Sequence, residues 1–145
     1  MITGLYDAAH GAFVTGSVYF PPPTARRIDV SFLVDSGAAK TCLSITDFIK
    51  LGADASKLPM RPSPIAIRGV GGGVRPFLTV AGLLFVHDDG QFSTFGMELP
   101  LILDPSFVGM PSLLGRDILY RGLTRFEPGS REVVIELPVG PQVLA

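Results

Sequence analysis

An apolar run ends on a carboxylate in FLVDSGAAKTCLS, residues 32–44. Asp35 is followed by Ser36, Gly37, Ala38 and Ala39, a turn of small residues. A plain strand end is one account of that placement. The other account is chemical. Gly37 has no side chain, so backbone amides can come close to the Asp35 carboxylate. The Ser36 hydroxyl can hydrogen-bond across a crowded turn. Ala38 leaves room for a peptide backbone beside it. A carboxylate so placed suits one half of a catalytic pair, in which two carboxylates share a proton and act on water.

Other chemistries have less support. GVGGG, around Gly71, Gly72 and Gly73, lacks the Lys-Ser/Thr of a phosphate loop and is an incomplete dinucleotide fingerprint, so it reads as a hairpin tip. His87, Asp88 and Asp89 are adjacent, and neighbouring strand residues point to opposite faces; VHDDGQ therefore reads as a solvated turn, and no metal is expected. Cys42 sits among apolar residues and reads as core rather than nucleophile. No Gly-x-Ser-x-Gly elbow is present.

Composition narrows the class. At 145 residues the chain fits one domain, residues 1–145, with a core that needs no disulfide staple. It is 47% hydrophobic and 17% charged, far from the disordered class. A net charge of −1 and scattered arginines argue against nucleic acid and anionic membrane as partners. The start, MITGLYDAAHGAFVTG, does not read as a secretory signal. FLTVAGLLFV is too short to span a bilayer as a helix. A single cysteine suits a reducing, cytoplasmic setting. The mean hydropathy of +0.42 points to a well-filled core, or to apolar surface buried between subunits.

The elements must then position Asp35. Frequent glycine and proline suit short strands and turns. AFVTGSVYF reads as a strand. IDVSFLVD places Ile28, Val30 and Phe32 on one face before turning continuously apolar. A short helix is predicted at SITDFIKLG, with Ser44 as cap, Asp47 in a partial capping box and Gly52 as stop. PSPIAIRGVGGGVRPFLTVAGLLFV reads as two strands around the glycine tip, and FSTFGMELPLIL as one or two more. RDILYRG reads as a second short helix ending at Gly122. LTRFE and REVVIEL flank PGS as a closing hairpin. PPPTARR and the tail PVGPQVLA are candidate exposed segments. One echo is visible: a strand runs into LVDSG and a helix follows, then a strand runs into SLLG and RDILYRG follows.

FLVDSGAAKTCLS, IRGVGGGVRPF and SLLGRDIL stand in the order and rough spacing of the retropepsin-like aspartic proteases, which the chain resembles from about Phe13 to Leu137. The family includes the retroviral proteases and the protease-like domain of DNA-damage-inducible proteins, and REVVIEL looks more like the cellular members. The resemblance implies a mostly β fold: a closed β-barrel with a flap hairpin, one or two short helices and an active site at a homodimer interface. It implies that Asp35 is catalytic and that Ser36 joins a network locking two active-site turns. Gly37 would hold the substrate backbone. Val70, Gly71, Gly72 and Gly73 would form the flap tip. Leu113, Leu114 and Gly115 would pack against the active-site turn. Arg116 and Asp117 would open a buttressing helix, although plain helix capping explains them equally well.

The implied reaction needs two carboxylates, and the chain has one Asp-Ser-Gly, so a symmetric homodimer would supply the second. No metal or organic cofactor is needed. Ala38, Ile67, Val70, Val74 and Leu113 are candidate pocket walls, which predicts apolar side chains flanking the cut in a peptide or protein substrate. Retroviral members often carry an acidic residue directly after the alanine of the motif, paired with the arginine of the later Gly-Arg. Here Ala39 and Lys40 stand there, so Arg116 needs another partner. REVVIEL is the expected interface strand. Two functions follow: a homodimeric aspartic endopeptidase, or a retropepsin-like binding or dimerisation module with little or no turnover.

Overall fold

A computed structural model of the chain describes all residues except Pro23, Ala25, Ala53, Val70, Gly71 and Ala145. The strands are β1 (Ile2–Asp7), β2 (Gly11–Tyr19), β3 (Arg27–Val34), β4 (Leu43–Ser44), β5 (Arg61–Pro62), β6 (Ile67–Gly69), β7 (Gly72–Val74), β8 (Phe77–Val86), β9 (Phe92–Ile102), β10 (Ser112–Leu114), β11 (Leu123–Glu127), β12 (Glu132–Glu136) and β13 (Gly140–Val143). Two short helices, α1 (Ile45–Leu51) and α2 (Arg116–Leu119), complete the frame with two single 3₁₀ turns. Among the described residues, no helix is long and apolar enough to cross a membrane.

Period-two patterning builds the main sheet. Ala12, Val14 and Val18 of β2 point inward, as do Val30 and Phe32 of β3, in an antiparallel register that sets Val14 opposite Phe32. Ala81, Leu83 and Phe85 of β8 and Phe95, Met97 and Leu99 of β9 continue that face. The Phe85 ring lies 6.0 Å from Phe32 and 6.2 Å from Phe95, all three fully buried. Gly16 makes room for it, since a Cβ there would stand 2.6 Å from the ring. The VHDDGQ turn closes the β8–β9 hairpin, with Gly90 at a φ of 87°.

The helix signals hold locally. Ser44 caps α1 by accepting from the Asp47 amide, and Gly52 ends it in the left-handed region. The second helix is shorter than expected: α2 stops at Leu119, ahead of Gly122. β11 and β12 form the expected hairpin.

One expectation needs correction. The strands do not close into a barrel. The main path runs β11-β12-β1-β2-β8-β9-β13 and stays open, while the backbone pairing of β10 with the segment ahead of β4 is an isolated bridge between Cys42 and Leu113. REVVIEL, expected at an interface, contains β12, which is hydrogen-bonded on one side to β11 and on the other to β1, with Val133 and Ile135 buried. The tail is exposed as expected, with Val139 and Val143 open to solvent, and it also carries β13, which pairs in parallel with β9 and sets Gly140 opposite Ser93.

Phe85→Ala removes the ring that joins three strands. It should cost about 3–5 kcal/mol of unfolding free energy, read as a lower urea midpoint with an unchanged slope.

Candidate active site

Strand β3 delivers Asp35. It pairs in parallel with β10, setting Val34 opposite Leu114, and the Asp35 amide donates to the Leu114 carbonyl at 3.0 Å. The two halves of the sequence echo thus lie side by side. The chain then turns: the Ala38 amide donates to the Asp35 carbonyl, and the Gly37 amide donates to Asp35 Oδ1 at 2.8 Å. The carboxylate is half-buried, while Ser36 and Gly37 are exposed. Among the described residues, no donor reaches Asp35 Oδ2 and the Ser36 hydroxyl has no partner.

The corner after β10 grips this turn. Arg116 Nη1 donates to the carbonyls of Ser36 at 3.0 Å and Gly37 at 3.1 Å. That is the partner Arg116 lacked in the sequence: with Ala39 in the acidic position, the guanidinium binds turn carbonyls of its own chain. The Arg116 amide donates to the Ala38 carbonyl. Asp117 accepts from the Thr41 amide and hydroxyl, the latter at 2.7 Å, and from the Ile118 amide. Thr41 Oγ1 in turn accepts from the Gly115 amide at 3.0 Å. Thr41 is fully buried, so it is satisfied on both sides. Thr41 is a residue that sequence reading missed; a lone threonine three places before an expected helix cap carries no local signal.

Cys42 lies behind this corner, exchanging backbone bonds with Leu113. Its thiol is buried, and burial pushes its pKa up from 9.0 to about 12, helped by the nearby Asp117 and Asp35 charges and opposed by the Leu113 hydrogen bond. A thiol so placed is protonated and inert at neutral pH.

The glycine-rich segment forms an arm. β5 pairs with the start of β8, and the Ser63 amide donates to the Pro76 carbonyl at 2.9 Å. Beyond this root, β6 and β7 pair only with each other, Ile67 opposite Val74, Arg68 opposite Gly73 and Gly69 opposite Gly72. Val70 and Gly71, expected at the tip, lie outside the described residues. A cavity of about 690 Å³ separates the arm root from α2. Of the expected pocket walls Ile67 lines it, whereas Ala38, Val74 and Leu113 do not. Asp35, Ser36, Gly37 and Ala38 therefore form one cluster with Leu114, Gly115, Arg116 and Asp117, and the arm is a separate piece.

No protein-family model matches the chain, and no curated protein matches it by sequence. Among solved structures it is similar to a retropepsin-like aspartic protease from Rickettsia conorii. The TM-score is 0.51 and the identity 18%, over 96% of this chain and 95% of that one. The likeness is one of fold: mostly β, few helices, retropepsin-like.

Two tests follow from this geometry. A Cβ on Gly115 would stand 2.5 Å from the Lys40 carbonyl carbon and 2.9 Å from the Ala38 oxygen, both backbone. Gly115→Ala should therefore cost about 1–3 kcal/mol by urea denaturation; no loss would mean that the corner is loose. The Cys42 thiol should resist alkylation at pH 8 until the chain unfolds. Because its folded pKa is raised, its share of stability is intact below pH 9.0 and is lost as pH climbs towards about 12. Fast labelling of folded protein, read by mass spectrometry, would contradict this.

Proposed function

We propose that the chain is an aspartic endopeptidase that works as a homodimer, each subunit contributing residues 1–145 as one domain and one Asp35. The observation that carries this is the Asp35 turn. One carboxylate oxygen is fixed by the Gly37 amide and the other has no donor among the described residues, on a surface turn braced from behind by Arg116 and Asp117. The retropepsin-like fold supports the same reading.

Across a two-fold axis the two Asp35 turns would face each other, with the unengaged Ser36 hydroxyls in position to bond across. Two carboxylates a few Å apart cannot both ionise freely, so the pair holds one proton. The ionised member takes a proton from water as its oxygen bonds to the peptide carbonyl carbon. The protonated member gives its proton to the carbonyl oxygen. The tetrahedral adduct then collapses: the C–N bond breaks, the nitrogen takes a proton from the carboxyl group, one hydroxyl of the adduct returns a proton to the other carboxylate, and acid and amine products leave a pair that again holds one proton. No metal or organic cofactor enters the scheme.

The arm supplies the other half. A substrate lying extended beneath β6 and β7 would be held like an added strand, with Gly37 against its backbone and Gly72 and Gly73 allowing close approach. Ile67, Val74, Ala38 and Leu113 would favour apolar side chains at the cut, with Val70 and Gly71 at the tip. Since Arg116 is engaged within its own chain, the dimer must close through other contacts.

Wild type and Asp35→Asn should be incubated with a complex peptide mixture across a range of about pH 4 to pH 7.5, since a shared proton makes the rate depend on pH. Products are read by mass spectrometry, and subunit state by sedimentation. Cuts made only by wild type, between apolar residues, are expected. Equal cutting by both would overturn the role of Asp35. A folded dimer that cuts nothing would favour the binding module.

A further inference from the structure

The cavity between the arm root and α2, which Lys40 lines from the loop after the Asp35 turn, has a charge pattern that peptide hydrolysis itself does not require. Its floor is apolar, with Ile67 from the arm, Leu78 from β8 and Met97 from β9. Its rim holds three cations, Lys40, Arg61 and Arg121, against two carboxylates, Glu98 and Asp117. Two of the five charges answer each other, since Arg61 and Glu98 form an ion pair at 2.6 Å. Asp117 faces away into the corner, taken up by Thr41 and the Ile118 amide. Among the described residues, Lys40 and Arg121 have no ion pair.

Two free cations above an apolar floor suit a carboxylate carried on a short methylene stem. The floor takes the stem and the rim takes the charge. Lys40 closes the loop that leaves the Asp35 turn, and Ile67 belongs to the arm. On the protease reading, a peptide running extended between turn and arm would pass the cavity mouth. Its side chains alternate in direction, so one near the cut, though not at it, enters the cavity.

We propose that this cavity is a specificity subsite and that Lys40 and Arg121 select substrates with a glutamate beside the apolar cut. The inference rests on the protease reading. It adds a polar requirement to a cleft that is otherwise apolar, and it makes recognition sensitive to salt.

The test uses synthetic peptide pairs with an apolar cut, differing only by Glu or Gln at successive positions on either side. Wild type should prefer Glu over Gln at one position by about fivefold in kcat/KM, the size of a half-exposed charge pair. The preference should sit in KM and shrink at high salt. Lys40→Glu should invert it, so that a Lys peptide is preferred at the same position. Equal rates for every pair, or a Glu preference that survives in Lys40→Glu, would overturn the proposal. If wild type cuts no peptide, the protease reading fails instead. The subsite is then read by fluorescence polarisation of the same labelled peptides on the folded chain, where equal affinity for Glu and Gln partners overturns it.

Discussion

A surface turn can present a reactive carboxylate only if something behind it stops it from moving. Here that support is the contact between the loop after Asp35 and the corner after β10. Thr41 and Asp117 form its centre: one carboxylate takes the Thr41 amide and hydroxyl, while the same hydroxyl takes the Gly115 amide. Hydrogen bonds to a charged acceptor contribute about 1.5–3 kcal/mol each where neutral ones contribute about 1 kcal/mol. Arg116 adds a forked grip on the Ser36 and Gly37 carbonyls. Gly115 lets the two backbones come close enough for all of this, and a side chain there would strike the Lys40 carbonyl.

The arm is built on the opposite principle. Its hairpin is a sheet of two strands, joined to the body through β5, the Ser63–Pro76 bond and the Arg61–Glu98 pair. An isolated two-stranded hairpin is marginal in water. Few cooperative contacts mean a low local opening free energy, which is what a segment that admits and covers a substrate requires. On the proposed protease reading the molecule would divide the work, with a stiff corner holding the carboxylate and a weakly anchored hairpin closing over it.

Much of the local structure around the candidate site was legible in the sequence because its signals are local. The apolar run into Asp-Ser-Gly, the Ser44 and Gly52 caps and the hairpin around PGS each depend on neighbouring residues alone. What was missed depends on distant partners. β1 begins with ITGLYD, whose outward residues Leu5 and Thr3 blur the alternation, and only pairing with both β2 and β12 makes it a strand. β13 carries a proline and lies at the end of the chain, so nothing local marks its parallel pairing with β9. The pattern of REVVIEL shows burial without showing by what, so its pairing with β1 as well as β11 was not legible. The acceptors of Arg116 are backbone carbonyls, which every residue has, so no substitution pattern announces them.

The central claim is that two subunits share one site, each giving a single Asp35. Mixing tests it most directly. Wild type and Asp35→Asn are combined at varied ratios under conditions where subunits exchange, and peptide cleavage is followed at constant total protein. If the site needs both carboxylates, mixed dimers are inactive and the rate falls as the square of the wild-type fraction. A rate that falls in simple proportion to that fraction would mean that one Asp35 suffices, and would contradict the account.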